Sequence, residues 1–212
     1  MVRLVLASAS PARLATLRSA GVEPQVVVSA VDEPAVVARA RAAYGDLEPA
    51  DVALLLAKAK CEDVSSRDDL ADCVVLGCDS VLEMDGRDYG KPGDADTATE
   101  RWRAMRGREG VLHTGHWLID EREDSTGATF GVTCSTVVHF ADLSDAEIDA
   151  YVATGETLSV AGGFTVDGLG GAYVTGIEGD FHNVVGVSLT TLREMLAQLD
   201  VAWHELWSAP HG

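Results

Sequence analysis

The stretch at residues 74–81, VVLGCDSV, constrains this chain more than any other segment. It sits inside a strand-forming run, CVVLGCDSVLE at 73–83, and an aspartate deep in such a run is costly unless it is paired or functional. Met84-Asp85-Gly86-Arg87 closes the run with an Asp-Gly hairpin signal. Two further strand-length runs follow at 111–121 and 129–140, separated by the polar loop 122–127. Around this centre, strands alternate with helical patterns. A strand at 3–7 leads to a helix at 10–20, with Ser10 as N-cap, Pro11 in the first helical position and Gly21 as its stop. A β-branched strand is expected at 25–28, and alanine-rich helices at 35–44 and 49–65, with Gly45 as the break. Helices are also expected at 94–106, after Ser144 (a capping box with Glu147) and at 188–199. The segment 155–186 holds nine glycines and reads as loops and short strands around a site. The pattern is α/β, and the hairpin makes the sheet a mixed one flanked by helices.

Charge narrows the functions open to such a fold. The chain carries 34 acidic and 16 basic residues, a formal net charge of −18. That field opposes tracking along nucleic-acid phosphates or an anionic membrane, but not one small anion in a locally cationic cleft. No apolar run approaches the ~18 residues of a membrane span, and the N-terminal apolar stretch reads as a buried strand rather than a secretory signal. Cys61, Cys73, Cys78 and Cys134 show no CxxC spacing, and four buried thiols in a reducing cytoplasm is the simplest reading. Cys73 and Cys78, five apart, fall on opposite faces of one strand.

Several fragments could carry chemistry. In LASASPAR (6–13), two serines, the unpaired amides of a helix start and Arg13 make either an anion site or an ordinary helix start. Asp32 and Glu33 are a carboxylate pair suited to Mg²⁺ or Mn²⁺, or a solvated acidic loop. Lys58 and Lys60 point some 200° apart on a helix, so only one can face a cleft; Lys60 is favoured and Lys58 reads as solvated. Asp79 could activate a water or bind a metal, or brace a loop. The hairpin could return Lys91 beside it. His113 and His116 lie on opposite strand faces, which disfavours a two-histidine metal site. Arg106 and Arg108 around Gly107 suggest a second cationic loop. Neither GxGxxG after a strand nor GxxxxGK[ST] is present.

Taken in order, LASASPAR, VDE (31–33), LAKAK (56–60), GCDSV (77–81), GKP (90–92), MRGREGVLHTG (105–115), YVATGE (151–156), AGGF (161–164) and GDFHNVVG (179–186) resemble the Maf family of nucleoside triphosphate pyrophosphatases. The resemblance runs over about residues 2–196. It implies a cytoplasmic, metal-dependent hydrolase of acid anhydrides that cuts a nucleoside triphosphate to the monophosphate and pyrophosphate, acting on modified nucleotides in a house-cleaning role. It also implies an elongated two-lobed architecture similar to inosine triphosphatases, with a central cleft in one domain over 1–212 and a tail from about 200. Residue by residue, Asp79 matches the family's proton acceptor, Ser8, Ser10, Arg13, Lys60 and Lys91 its substrate-binding positions, and Glu33 with Asp79 its divalent-cation (Mg²⁺ or Mn²⁺) ligands. Ala12, Ser80 and Asp167 stand at positions tied to base selection. Many relatives carry arginine at the first and threonine at the second, and the thymidine/uridine type carries glutamine at the third. An aspartate cannot donate as a glutamine amide does, so the preference stays open between pyrimidine nucleotides and 7-methyl-GTP or other modified ones. A second reading is a nucleotide-binding regulator of cell division with little catalysis. The tail with Trp203 and Trp207 packs on its own domain or on a partner copy, the former being the simpler expectation, and a homodimer stays open.

Overall fold

The computed structural model describes residues 2–67 and 69–208. The chain runs β1 (Leu4–Ala7), α1 (Pro11–Ser19), β2 (Gln25–Val26), α2 (Glu33–Tyr44), α3 (Pro49–Ser65), β3 (Val74–Met84) and β4 (Arg87–Tyr89). It continues α4 (Ala95–Met105), β5 (Glu109–Asp120), β6 (Thr129–Phe140), α5 (Asp145–Ala153), β7 (Val174–Glu178), α6 (Phe181–Val185) and α7 (Leu189–Ala197). The seven strands form one mixed sheet in the order β2-β1-β3-β5-β6-β7, with β4 folded back on β3. β1 lies parallel to β2 and β3, and every other pairing is antiparallel.

Alternation along β3 divides the core. Val74, Leu76 and Cys78 join Leu4 and Leu6 beneath Leu17 of α1 and Leu192, Met195 and Leu196 of α7. Further along the same face, Leu82 and Met84 enter a second cluster with Trp102, Phe140, Ile148 and Tyr151. On the opposite face, Val75 packs under Cys61 and Val64 of α3, and Val81 under Val52, Ala53 and Leu56. Between these clusters the apolar pattern breaks at Gly77, Asp79 and Ser80. The pairing breaks there as well: β1 stops with Ala7 opposite Gly77, and β4 starts with Tyr89 opposite Leu82. This notch, beyond the carboxyl end of a parallel strand, is where open α/β sheets place their sites.

Glycine seats α3 on the sheet. A Cβ on Gly77 would stand 2.2 Å from the Ala57 carbonyl oxygen, and one on Gly115 would stand 2.4 Å from that of Ala53. Side chains at either position would push the helix away.

Several expectations are corrected. The strand expected at 25–28 pairs only at Gln25–Val26; the Val27 N–H still reaches the Leu6 carbonyl, and then the chain leaves the sheet because β1 ends. Helix α2 begins at Glu33, two residues early, because the Asp32 side chain caps it by accepting the Ala35 N–H at 3.0 Å. The glycine-rich segment holds loops and the short strand β7 as expected, and adds what its composition did not show: 3-10 turns at Glu156–Ser159, Ala161–Gly163 and Leu169–Tyr173 and the short helix α6. Cys134 is half-buried rather than buried, since β7 pairs with β6 only along 137–140 and leaves its earlier half as an edge. Arg106 and Arg108 form no cationic loop: Asp145 and Asp85 neutralise them at 2.7 and 2.6 Å. Trp203 packs against the first core, while Trp207 is half-exposed beside Gly21, and residues 209–212 of the expected tail lie outside the described residues.

Candidate active site

Ser8, Ser10, Ala12, Arg13, Glu33, Lys60, Asp79, Ser80, Lys91 and Asp167 all line one cavity of about 380 Å³ at the notch in β3. They arrive from six directions: the β1–α1 junction, the first turn of α2, the middle of α3, β3 itself, the loop after β4 and the loop before β7.

At its centre the Lys60 ammonium bridges two carboxylates, donating to Asp79 Oδ1 at 2.5 Å and lying 2.8 Å from Glu33 Oε1. Lys60 and Asp79 are buried, and Glu33 is about a third exposed. Their electrostatics diverge. Burial raises the Asp79 pKa, and the nearby Lys60 and Arg13 charges do not cancel that rise. Burial also pushes Glu33 upward, but the hydrogen bond and charge of Lys60, with Lys91 and Arg13 further off, outweigh it and hold Glu33 below the ordinary range. Two carboxylates held by one ammonium are thus shifted in opposite directions, a pattern that acid–base sites use. The cation beside Asp79 is therefore Lys60, not Lys91 as the hairpin suggested. Lys91 is exposed on the cavity wall and acts on Glu33 through space. Of the Asp32–Glu33 pair, only Glu33 lines the cavity, because Asp32 is spent as a helix cap.

Arg13 builds a second, braced layer. Its Nε donates to the Gly186 carbonyl at 2.7 Å, Nη1 to Ser8 Oγ at 3.1 Å and Nη2 to Ser80 Oγ at 3.0 Å. Three of its five N–H groups are thereby engaged, leaving two for a ligand. Ser80 Oγ also pairs with Thr114 Oγ1 at 2.9 Å, and Thr114 donates to the Asn183 carbonyl at 3.0 Å. The Ser10 hydroxyl caps α1 by accepting the Arg13 N–H, and Ser8 Oγ accepts the Ser10 N–H. Ala9 to Ala12 line the cavity, so the positive end of α1 faces it. Sequence reasoning missed the Ser80–Thr114–Asn183 chain, because its members are far apart in sequence and each is an unremarkable polar residue. It also missed the apolar wall, including Leu112, Phe164 and Val184, which nothing local distinguishes from core.

The histidines behave as their spacing implies. His113 sits between Glu83 Oε2 and Ser135 Oγ, each at 2.8 Å. His116 is on the other face, where its Nε2 accepts the Ser188 N–H at 2.8 Å. Among the described residues, no group of three or more His, Cys, Asp or Glu side chains gathers as a metal site. Nor is any helix there long and apolar enough to cross a membrane.

A family model described as Maf-like protein matches residues 3–199. The chain belongs to the Maf family. Among its relatives, the nucleoside triphosphate pyrophosphatase of Leifsonia xyli subsp. xyli is 54% identical over 98% of this chain and 97% of its own. That of Streptomyces coelicolor is 50% identical over 97% of this chain and 95% of its own. A solved structure, a HAM1 protein from Coxiella burnetii, aligns with a TM-score of 0.40 at 18% identity, over 68% of this Maf chain and 75% of that one.

Proposed function

We propose that this chain is a nucleoside triphosphate pyrophosphatase, converting a nucleoside triphosphate and water to the monophosphate and pyrophosphate. The observation that carries the reading is the buried Asp79–Lys60–Glu33 cluster, set in one cavity against the amino end of α1. The names of its half-identical relatives support it.

Hydrolysis needs a water to attack the α-phosphorus while the bond to the bridging oxygen of the β-phosphate breaks. Asp79 orients that water and takes its proton; a carboxylate with a raised pKa is the better base for this step. The leaving pyrophosphate is met by the free N–H groups of Arg13, the third donor of Lys60, the Lys91 ammonium and the first amides of α1. Ser8 and Ser10 act by fixing Arg13 and that helix start. Glu33 and Asp79 fit a divalent cation such as Mg²⁺ or Mn²⁺. Each commits only one oxygen to Lys60, and two carboxylates suit a hard ion that completes its shell with water and phosphate oxygens. When bound, such an ion supplies neutralising charge for the phosphates and acidifies a coordinated water. At the specificity positions, Ala12 has no polar side-chain atom, Ser80 is engaged with Arg13 and Thr114, and Asp167 offers acceptors only. Four free cysteines suit a reducing compartment such as the cytoplasm.

The test is incubation with ordinary and modified nucleoside triphosphates plus Mg²⁺ or Mn²⁺ in ¹⁸O-water. Monophosphate carrying the label, with unlabelled pyrophosphate, is expected from at least one substrate. Binding without product would favour a nucleotide-binding regulator, and inorganic phosphate as the first product would refute attack at the α-phosphorus.

A further inference from the structure

Outside the cavity, the Glu156 carboxylate gathers one glycine-rich loop. Its Oε1 accepts from Tyr151 Oη at 2.8 Å, Thr165 Oγ1 at 2.5 Å and the Gly170 N–H at 3.0 Å, while Oε2 accepts the Leu169 N–H at 3.0 Å. Thr165 is held a second time, its N–H donating to Tyr151 Oη at 3.3 Å. Tyr151 is itself anchored in the second core, its ring edge-on to Trp102 with centroids 5.4 Å apart. The loop closes tightly on these groups. A Cβ on Gly170 would stand 2.2 Å from Tyr151 Oη, and one on Gly168 would stand 2.7 Å from Glu156 Oε2. Between α5 and β7 this backbone makes only short 3-10 turns, so its path depends on the carboxylate rather than on a ladder of its own.

The same loop carries Phe164, Thr165 and Asp167 into the cavity wall, whereas Glu156 does not line it. An aromatic ring, a threonine and a carboxylate are poor company for a triphosphate, and the cations stand on the α1, α3 and β4 sides. The loop is therefore the nucleoside side of the cavity. We infer that Glu156 is a positioning residue for the nucleoside end of the substrate, setting affinity and base selectivity through residues 164–167 without touching the phosphates. This rests on the pyrophosphatase reading above.

The experiment compares wild type with Glu156→Ala, Glu156→Gln and Thr165→Val, reading kcat and KM across a nucleotide panel and the Ki of inorganic triphosphate, a probe without a base. In Glu156→Ala, KM rises roughly tenfold or more, kcat stays within about threefold and discrimination among bases narrows. The Ki of triphosphate stays at its wild-type value. Glu156→Gln is intermediate, because its one carbonyl oxygen still accepts while its amide faces the Leu169 N–H as a second donor. Thr165→Val, which removes a single bond, shifts KM in the same direction by less. Unchanged KM and selectivity, or a triphosphate Ki that rises in step with KM, would overturn the inference. If wild type makes no monophosphate from any nucleotide, the pyrophosphatase reading fails by itself. Calorimetric Kd values for nucleotide and triphosphate then decide the role of Glu156 by the same comparison.

Discussion

His116 shows how much one buried side chain can tie down. It has no solvent exposure, its Nε2 accepts the Ser188 N–H, and its Nδ1 finds no hydrogen-bond partner. The ring is therefore neutral with its proton on Nδ1, and burial, with the Arg13 charge nearby, pushes its pKa down to about 4. The unfolded chain binds this proton more readily than the folded one. The contribution is thus fully present above the unfolded value near 6.5 and is lost as pH falls towards 4. Urea unfolding should show stability falling by on the order of 2 kcal/mol between pH 7 and pH 5. His116→Gln keeps an acceptor for Ser188 and should flatten that fall; an equal fall in the variant would assign the acid sensitivity elsewhere. Legibility at this scale was uneven. Asp79 stood out because a charge interrupts an apolar run. Glu156 did not, since its four donors come from three places along the chain and only folding assembles them.

At the level of elements, the notch in β3 depends on where neighbouring strands stop. The strands, the helix caps at Ser10 and Ser144 and the hairpin at Asp85-Gly86 were legible because each is written in local residue chemistry. The shortness of β2 and the gap between β1 and β4 were not, because pairing length is decided by partners distant in sequence. The role of Gly77 likewise emerges only from α3 lying across it. Gly77→Ala places a methyl group 2.2 Å from the Ala57 carbonyl oxygen and 2.8 Å from Cys61 Cβ, so α3 must shift, and Lys60 with it. We expect a loss of roughly 2–3 kcal/mol in unfolding free energy, together with reduced turnover although residue 77 does not line the cavity. Gly90→Ala, where the added methyl meets nothing within 4 Å, is the control and should melt with wild type. Equal stability for the two variants would mean that the helix does not bear on the sheet as described.

For the whole molecule, the charge of −18 and an anionic substrate are reconciled by geography. Two of the chain's three lysines, with Arg13 and the amino end of α1, meet at one notch, so the field that matters to a triphosphate is local. The acidic exterior opposes long polyanions, whose binding needs many phosphate contacts spread over a surface. The same notch interrupts the apolar clusters on both sheet faces, with Ser80 meeting Arg13 on one and Asp79 meeting Lys60 on the other, which lets binding groups from several elements converge on one cavity. Everything in the proposed chemistry turns on the Asp79 carboxylate. Asparagine is close in shape and keeps an oxygen that accepts from Lys60, which Glu33 continues to pair, so Asp79→Asn should fold, with its melting temperature within about 5 °C of wild type. The decisive measurement is pyrophosphate release by this variant at saturating nucleoside triphosphate and Mg²⁺. A fall of at least about a hundredfold in kcat, with nucleotide binding retained, is the predicted result. Turnover near the wild-type rate in a folded Asp79→Asn protein would contradict the account.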